Sequence, residues 1–369
     1  MTRLRDRIAK AFLFQLDPEA AHRLAIRGLA LNVHPAAAPP DPSLRCRLLD
    51  LDLPSPVGLA AGFDKNGEAV DGLLKLGFGF VEIGTVTPRP QPGNPKPRMF
   101  RLEPDRAIVN RLGFNNDGAA VVAGRLAARS GRAGVVGVNL GANRDSDDRI
   151  ADYLSGIDAF ARLASYLVLN VSSPNTPGLR RLQEGPALRD LLERAIAARD
   201  EATNGERATP LLLKIAPDVD EAELRQIAET ALAAGIDGFI AANTTLAREG
   251  LRDTRRAAET GGLSGRPLFK RSTILLAKLR LLVGPSVLVI GVGGIDSAEA
   301  AWTKITAGAD LIQIYTGMIY EGPGLAADIN RSLAGRLKAA GLSSIAQAVG
   351  IDNARWAAMA LRASGAVGG

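Results

Sequence analysis

A lysine inside an apolar run, a serine loop held between prolines and two glycine-rich turns are the features of this 369-residue chain whose types and spacing suggest chemistry. Lys214 interrupts Leu211-Leu212-Leu213-Lys214-Ile215. Burying its ammonium is costly unless an anion answers it, so the lysine calls for a bound anionic partner. Ala60-Ala61-Gly62-Phe63-Asp64-Lys65 places small residues where a flat ligand can approach the backbone, with a second ammonium just beyond. Gly291-Val292-Gly293-Gly294 and Tyr315-Thr316-Gly317 suit a phosphate cradle built from backbone N–H groups. A phosphate, a cation and a glycine-rich floor together point to a phosphorylated planar cofactor, with FMN the natural candidate.

Asn110, Asn115, Asn139, Asn170, Asn175 and Asn243 recur near predicted strand ends. Singly, each suits a turn or a cap; together they suit the edge of a small polar ring bearing carbonyls, amides and a carboxylate. Histidine occurs only at positions 22 and 34 and cysteine only at position 46, which excludes disulfide frameworks and multi-cysteine metal sites and implies no metal. In Asn170-Val171-Ser172-Ser173-Pro174-Asn175-Thr176-Pro177 a serine is by default a plain loop hydroxyl. With no imidazole or thiol anywhere after Cys46, it is also a candidate proton acceptor.

The elements that must position these residues repeat. Short apolar runs alternate with helix-patterned stretches from about residue 55 onward, the pattern of parallel strands with crossover helices. The strand candidates are Val57 to Gly62, Phe80 to Thr85, Gly134 to Leu140, Tyr166 to Val171, Leu211 to Ile215, Asp237 to Ala242, Ser286 to Val292 and Ala309 to Thr316. Helices are expected over Glu68 to Leu76, Asp220 to Ala234 and Ser297 to Ala307. Eight such units predict an α/β fold, a closed (β/α)8 TIM barrel over 41–352, with the active site at the C-terminal strand ends. An open doubly wound sheet would be expected to carry Gly-x-Gly-x-x-Gly after its first strand, which is absent here.

Residues 1–40 stand outside the repeat, as a small helical extension of two helices, Leu4 to Leu16 and Pro18 to Leu31, with a Pro-rich linker. Leu4, Ile8, Ala11 and Phe12 form a stripe flanked by Arg3, Arg5, Arg7 and Lys10. The profile suits a helix on an anionic membrane surface and equally suits a pair packed on the barrel. The chain is 46% hydrophobic and 4% aromatic with a net charge of +6, and it has no aromatic-interleaved basic run, so nucleic acid is not an expected partner. No apolar stretch approaches the roughly 18 residues of a membrane span, and no signal-peptide pattern opens the chain. The segment 353–369 has no assigned role, and its Ala-rich end suits a disordered tail.

Ala61 to Glu68, Glu82-Ile83-Gly84-Thr85-Val86-Thr87-Pro88, Asn110-Arg111-Leu112-Gly113-Phe114-Asn115, Asn170 to Arg180, Gly261 to Gly265 and Ile290 to Ile295 together resemble dihydroorotate dehydrogenase over roughly residues 17–350. Ser173 in place of the soluble class's cysteine, the N-terminal extension and its Leu16-Asp17-Pro18-Glu19-Ala20-Ala21-His22 motif resemble the quinone-reducing, membrane-associated class. The resemblance implies oxidation of (S)-dihydroorotate to orotate in pyrimidine synthesis, with FMN passing electrons to a membrane quinone.

It further implies that Ser173 takes the C5 proton and that Lys214 stabilises charge on the reduced ring. FMN contacts fall on Ala61, Gly62, Phe63, Asp64, Lys65, Thr85, Asn139, Asn170, Lys214, Ala242, Gly265, Gly294, Tyr315 and Thr316. Substrate contacts fall on Lys65, Asn110, Arg111, Leu112, Gly113, Phe114, Asn170, Asn175, Asn243 and Thr244, and a quinone tunnel on His22, Arg101 and Tyr315. Ala242 replaces the family's frequent threonine, leaving only its backbone for a contact. A peripheral monomer on the cytoplasmic face of the inner membrane is the matching expectation. Other FMN barrels, a tRNA dihydrouridine synthase or a fumarate- or NAD-linked enzyme, and a non-catalytic phosphate-binding scaffold are the alternatives. The last leaves Lys214 and the Ser173 loop without a purpose.

Overall fold

The computed structural model describes residues 10–204 and 208–361. Among the described residues thirteen strands follow in chain order: β1 (Cys46–Leu48), β2 (Leu51–Leu53), β3 (Val57–Leu59), β4 (Phe80–Val86), β5 (Met99–Leu102), β6 (Ala107–Asn110), β7 (Val135–Leu140), β8 (Tyr166–Asn170), β9 (Leu211–Ile215), β10 (Gly238–Ala241), β11 (Gly262–Gly265), β12 (Leu288–Val292) and β13 (Leu311–Ile314). Eight of them close into a parallel barrel in the sequential order β3-β4-β7-β8-β9-β10-β12-β13. These are the eight expected strands; β9 has the expected bounds, and the other seven are trimmed or extended by a few residues at their ends. Both faces of a barrel strand are covered, by its interior and by the outer helices, so these strands read as continuous apolar runs. β8 and β9 are buried at every position.

Helix signals were equally legible. Asp220 accepts from the N–H groups of Ala222 and Glu223 while the Glu223 side chain accepts from the Asp220 N–H, a capping box that starts Glu221–Ala234. That helix stops at Gly235, whose φ of 90° is left-handed. The N-terminal helix α1 (Pro18–Ala30) opens on Asp17, whose carboxylate accepts from the N–H groups of Glu19 and Ala20, with Pro18 in its first turn. Residues 10–15 are also helical. The charged stripe proposed at Arg3, Leu4, Arg5, Arg7 and Ile8 lies outside the described residues.

Two features were not anticipated. β6 pairs antiparallel with β5, which shares the connection after β4, and with β11, from the connection after β10, as a three-stranded sheet in the order β11-β6-β5. The tail beyond residue 352 is not disordered over 353–361: the buried Asn353 donates from Nδ2 to the carbonyls of Ala277 (3.0 Å) and Ala307 (2.7 Å). Trp356 meets Phe269 edge-on at 6.3 Å. Ala307 is the C-cap of the helix Ala298–Thr306 and Ala277 lies within the helix Phe269–Val283, so one amide ties this segment to two barrel helices, a docking site that composition alone does not reveal.

Candidate active site

The cleft at the C-terminal ends of the barrel strands is lined by Ala60 to Gly62, Lys65 and Thr85 on one side and by Gly293, Gly294 and Tyr315 to Gly317 on another. Ser173, Asn175, Asn243 and Thr244 form a third side, and the sheet of β5, β6 and β11 contributes Met99, Ile108, Asn110, Ser264 and Gly265. Lys214 reaches the cleft from the barrel interior, its side chain 6% exposed. Its Nζ is 3.8 Å from Glu82 Oε1, and no acceptor among the described residues comes within hydrogen-bond range.

Glu82 corrects the expectation that a bound ligand alone answers the lysine's charge. This wholly buried carboxylate accepts from Asn139 Nδ2 (2.8 Å), Gln313 Nε2 (2.5 Å) and the Tyr166 hydroxyl (3.3 Å). The protein therefore carries its own counter-charge, while the ammonium keeps its donors for the cleft. Gln313 lines the same cleft, and its Oε1 is buried without a partner. Glu82 and Gln313 each break an apolar strand, as Lys214 does, so the argument that singled out Lys214 applied to both and would have found them.

A hydrogen-bonded amide layer lies above the carboxylate. Asn139 Oδ1 accepts from Thr85 Oγ1 (2.5 Å) and Asn170 Nδ2 (3.0 Å), and Asn170 Oδ1 accepts from Ser172 Oγ (3.1 Å) and Asn243 Nδ2 (3.1 Å). Such a layer fixes each amide's orientation, so the cleft's donors and acceptors are preset rather than adaptable. Ser173, 5% exposed, accepts at Oγ from the Asn175 N–H (3.2 Å), and Asn175 Nδ2 donates to Asn110 Oδ1 (3.3 Å). Lys65 Nζ donates to the Gly62 carbonyl (2.6 Å), and burial brings its pKa down to about 8. Gly294 has φ +74°, and a Cβ there would stand 2.5 Å from Phe269 Cβ, so only glycine allows this turn to pack against the neighbouring helix.

Some of the expected residues point elsewhere. The Asp64 carboxylate accepts from the N–H groups of Glu68 (2.9 Å) and Ala69 (2.8 Å), organising the turn before the helix Val70–Leu74. Arg111 donates to Glu259 Oε2 (2.7 Å) and the Pro97 carbonyl (2.9 Å) and does not line the cleft. Asn139 lies beneath it, and Phe63 faces a second cavity. Ala61, Gly62, Lys65, Thr85, Asn170, Lys214, Ala242, Gly265, Gly294, Tyr315, Thr316, Ser173 and the other expected substrate residues all line the cleft.

The second cavity lies between the N-terminal helices and the barrel top, walled by Leu13, Phe14, Ala21, His22, Ala25 and Leu29 and by Phe63, Arg101, Met318 and Ile319. Met99 and Ile108 line both cavities. Phe63, in the second cavity, and Tyr315, in the first, meet edge-on at 5.5 Å, and His22 stacks edge-on against Phe63 at 5.0 Å. Burial, reinforced by Lys65, pushes the His22 pKa down to about 3, which keeps this imidazole neutral at ordinary pH. Arg101 donates to the carbonyls of Leu13 (3.2 Å), Phe14 (3.3 Å) and Leu16 (3.0 Å), tying the C-terminal end of the helical segment 10–15 to β5.

Residues 43–337 match the family model for dihydroorotate dehydrogenase. The chain belongs to that family. Proteins named dihydroorotate dehydrogenase (quinone) from Brucella ovis and Brucella canis are 53% identical to it over 98% of this chain and all of theirs, which puts it in the quinone-dependent class. Two solved dihydroorotate dehydrogenase structures from Eimeria tenella share 42% identity with it. One, in complex with ferulenol, superposes with a TM-score of 0.87 over 91% of this chain and 96% of that one; the other, ligand-free, with 0.86 over 91% and 99%. Within the dihydroorotate dehydrogenase family, the barrel and N-terminal helices described here are the shared architecture.

Proposed function

We propose that this chain oxidises (S)-dihydroorotate to orotate in pyrimidine synthesis, holding FMN in the barrel-mouth cleft and serving a membrane quinone from the second cavity. The observation that carries this reading is the pair of adjoining cavities: one that brings preset amides and two lysines together, and one lined mostly by apolar side chains, with Phe63 and Tyr315 meeting between them.

The residues present fit FMN. Lys214 has donors without an acceptor and Gln313 Oε1 has no donor, a pairing that suits a ring edge bearing both carbonyls and N–H. The turn at Gly293-Gly294, Gly265 and the start of the helix at Thr316-Gly317 line one end of the cleft with small residues, where backbone can approach a phosphate closely. Ala61, Gly62, Thr85, Asn170 and the Ala242 backbone complete the set. FMN, when bound, supplies the acceptor for the C6 hydride and the carrier of electrons to the quinone.

Lys65 and the amides of Asn110, Asn175 and Asn243, with Thr244, hold the substrate's carboxylate, carbonyls and ring N–H groups. Ser173 takes the C5 proton at Oγ, with the Asn175 N–H held against that oxygen. Lys214, poised by Glu82, stabilises negative charge gathering beside it. His22 and Arg101 border the quinone path, and the neutral His22 suits an uncharged quinone.

Phe12, Leu31 and Val33, at 58%, 74% and 77% exposed, leave an apolar rim on the N-terminal lobe that suits peripheral attachment of a monomer to the cytoplasmic face of the inner membrane. Among the described residues no helix is long and apolar enough to cross a membrane.

Ser173→Ala is the decisive variant. It should keep its flavin absorbance and slow flavin reduction by dihydroorotate roughly 10²- to 10⁴-fold. An unchanged reduction rate would remove Ser173 from the reaction.

A further inference from the structure

Glu19 stands in the first turn of α1, one turn before His22, and is 9% exposed. Arg98, 6% exposed, grips it with two bonds, Nε to Oε2 at 3.0 Å and Nη2 to Oε1 at 2.8 Å. The remaining terminal nitrogen, Nη1, donates to the carbonyls of Pro92 (2.6 Å) and Asn94 (2.7 Å). A single guanidinium thus fastens the N-terminal helix to the loop 92–98 on the barrel.

That loop reaches the substrate side of the cleft. Asn94 donates from Nδ2 to the carbonyls of Arg111 (2.9 Å) and Asn175 (3.3 Å), and from its N–H to the Leu112 carbonyl (3.0 Å). The Arg98 carbonyl accepts from the Arg111 N–H (2.9 Å). Asn175 in turn holds Ser173 Oγ through its N–H and Asn110 through its amide. An unbroken series of hydrogen bonds therefore runs from the helix that walls one cavity to the serine in the other.

We propose that Glu19 and Arg98 form a positioning latch that completes the substrate pocket only when α1 is docked, so that the lobe facing the quinone also sets the geometry of Asn94, Asn175 and Ser173. The proposal rests on the reading of the cleft as the substrate site. Neither residue touches the reacting atoms; both act through the loop. A bidentate, buried arginine–carboxylate pair is suited to this role because it is directional and loses its geometry as a unit.

The pair also sets the field at Lys65. The charged groups facing that ammonium are Glu19 from α1 and Asp64 beside it, which favour the proton, and Arg98 from the loop, which opposes it; the neighbouring His22 is neutral. As pH rises through about 8, Lys65 loses its proton and the cleft loses a cation for an anionic substrate.

Stopped-flow reduction of the flavin-loaded, full-length enzyme by dihydroorotate tests the latch with three variants. Glu19→Gln keeps the shape and removes the charge; Arg98→Lys keeps the charge and removes the two-pronged grip. Both should lower the efficiency of flavin reduction roughly 3- to 30-fold, mainly through a higher apparent KM. Both should also speed hydrogen exchange in residues 92–98 and 172–177 of the substrate-free enzyme. Only Glu19→Gln should move the alkaline limb of kcat/KM to lower pH, because only it strips the proton-favouring charge from Lys65. Lys96→Gln, at an exposed residue 3.4 Å from Glu19, should behave as wild type.

Wild-type reduction kinetics and exchange in Glu19→Gln and Arg98→Lys, with losses confined to quinone turnover, would overturn the latch. An effect of Lys96→Gln matching that of Glu19→Gln would do the same by tracing it to surface charge. Failure of dihydroorotate to bleach the wild-type flavin would count against the proposed reaction instead, and the exchange measurement would still judge the latch.

Discussion

Glu82→Gln isolates the counter-charge of Lys214. The substitution preserves volume, and the amide bonds can re-form: Gln313, whose Oε1 has no partner, can turn its amide to accept from the new Nε2. What cannot be restored is the charge. At 3.8 Å, with an effective dielectric constant of about 20, the attraction between the two ions is about 4 kcal/mol. Breaking a buried pair by removing one partner typically costs about 3–5 kcal/mol, in agreement. With about 2.1 cal/mol/K of unfolding entropy per residue, a chain of this length has roughly 0.8 kcal/mol/K, so Tm should fall by about 4–6 °C. Thermal unfolding with FMN in saturating excess is the assay, since flavin loss would lower Tm by itself. Lys214→Met should cost less, because Glu82 retains three neutral donors, and the double variant should be more stable than the sum of the two single losses implies. A Glu82→Gln loss under about 1 °C, or strictly additive losses in the double variant, would show that the pair does not carry this charge balance.

Removing residues 1–16 takes Leu13 and Phe14 from the apolar cavity but leaves α1 and Glu19 in place. Dihydroorotate should still bleach the flavin within about twofold of the wild-type rate, whereas turnover with a long-chain quinone should collapse; intact quinone turnover would refute the division of labour between the cavities. Lys304 is fully buried, its Nζ bonded among the described residues to Ser272 Oγ alone (2.8 Å) and set over the Phe269 ring, and burial holds its pKa well below the usual lysine value. Between that depressed pKa and the unfolded value of about 10.4 the unfolded chain binds the extra proton, so stability rises with pH across the window. Lys304→Met abolishes this term, and its Tm relative to wild type should be highest near pH 7 and decline toward pH 10; a difference independent of pH would refute the assignment.

The sequence by itself determined the barrel, because a strand covered on both faces must be apolar throughout and that requirement is written locally. All eight strand runs were legible, as were the helix starts at Asp17 and Asp220, whose capping chemistry involves only residues a turn away. Lys214, the Gly293-Gly294 turn and the Ser173 loop could be placed at the cleft because strand ends in a closed barrel share one rim, whereas Leu112 to Phe114 and Gly265, on or beside β6 and β11, were named through the family resemblance. Only the tertiary structure decided which charges meet. Glu82 and Lys214 lie on β4 and β9, and a carboxylate's distance from an ammonium depends on barrel closure and on the direction each side chain takes inside it. The same holds for Glu19 and Arg98, for the Asp64 side chain turned to its own loop, and for Arg111 turned outward to Glu259. The roof of β5, β6 and β11 joins segments more than 150 residues apart, and no local pattern in either announces a partner so distant.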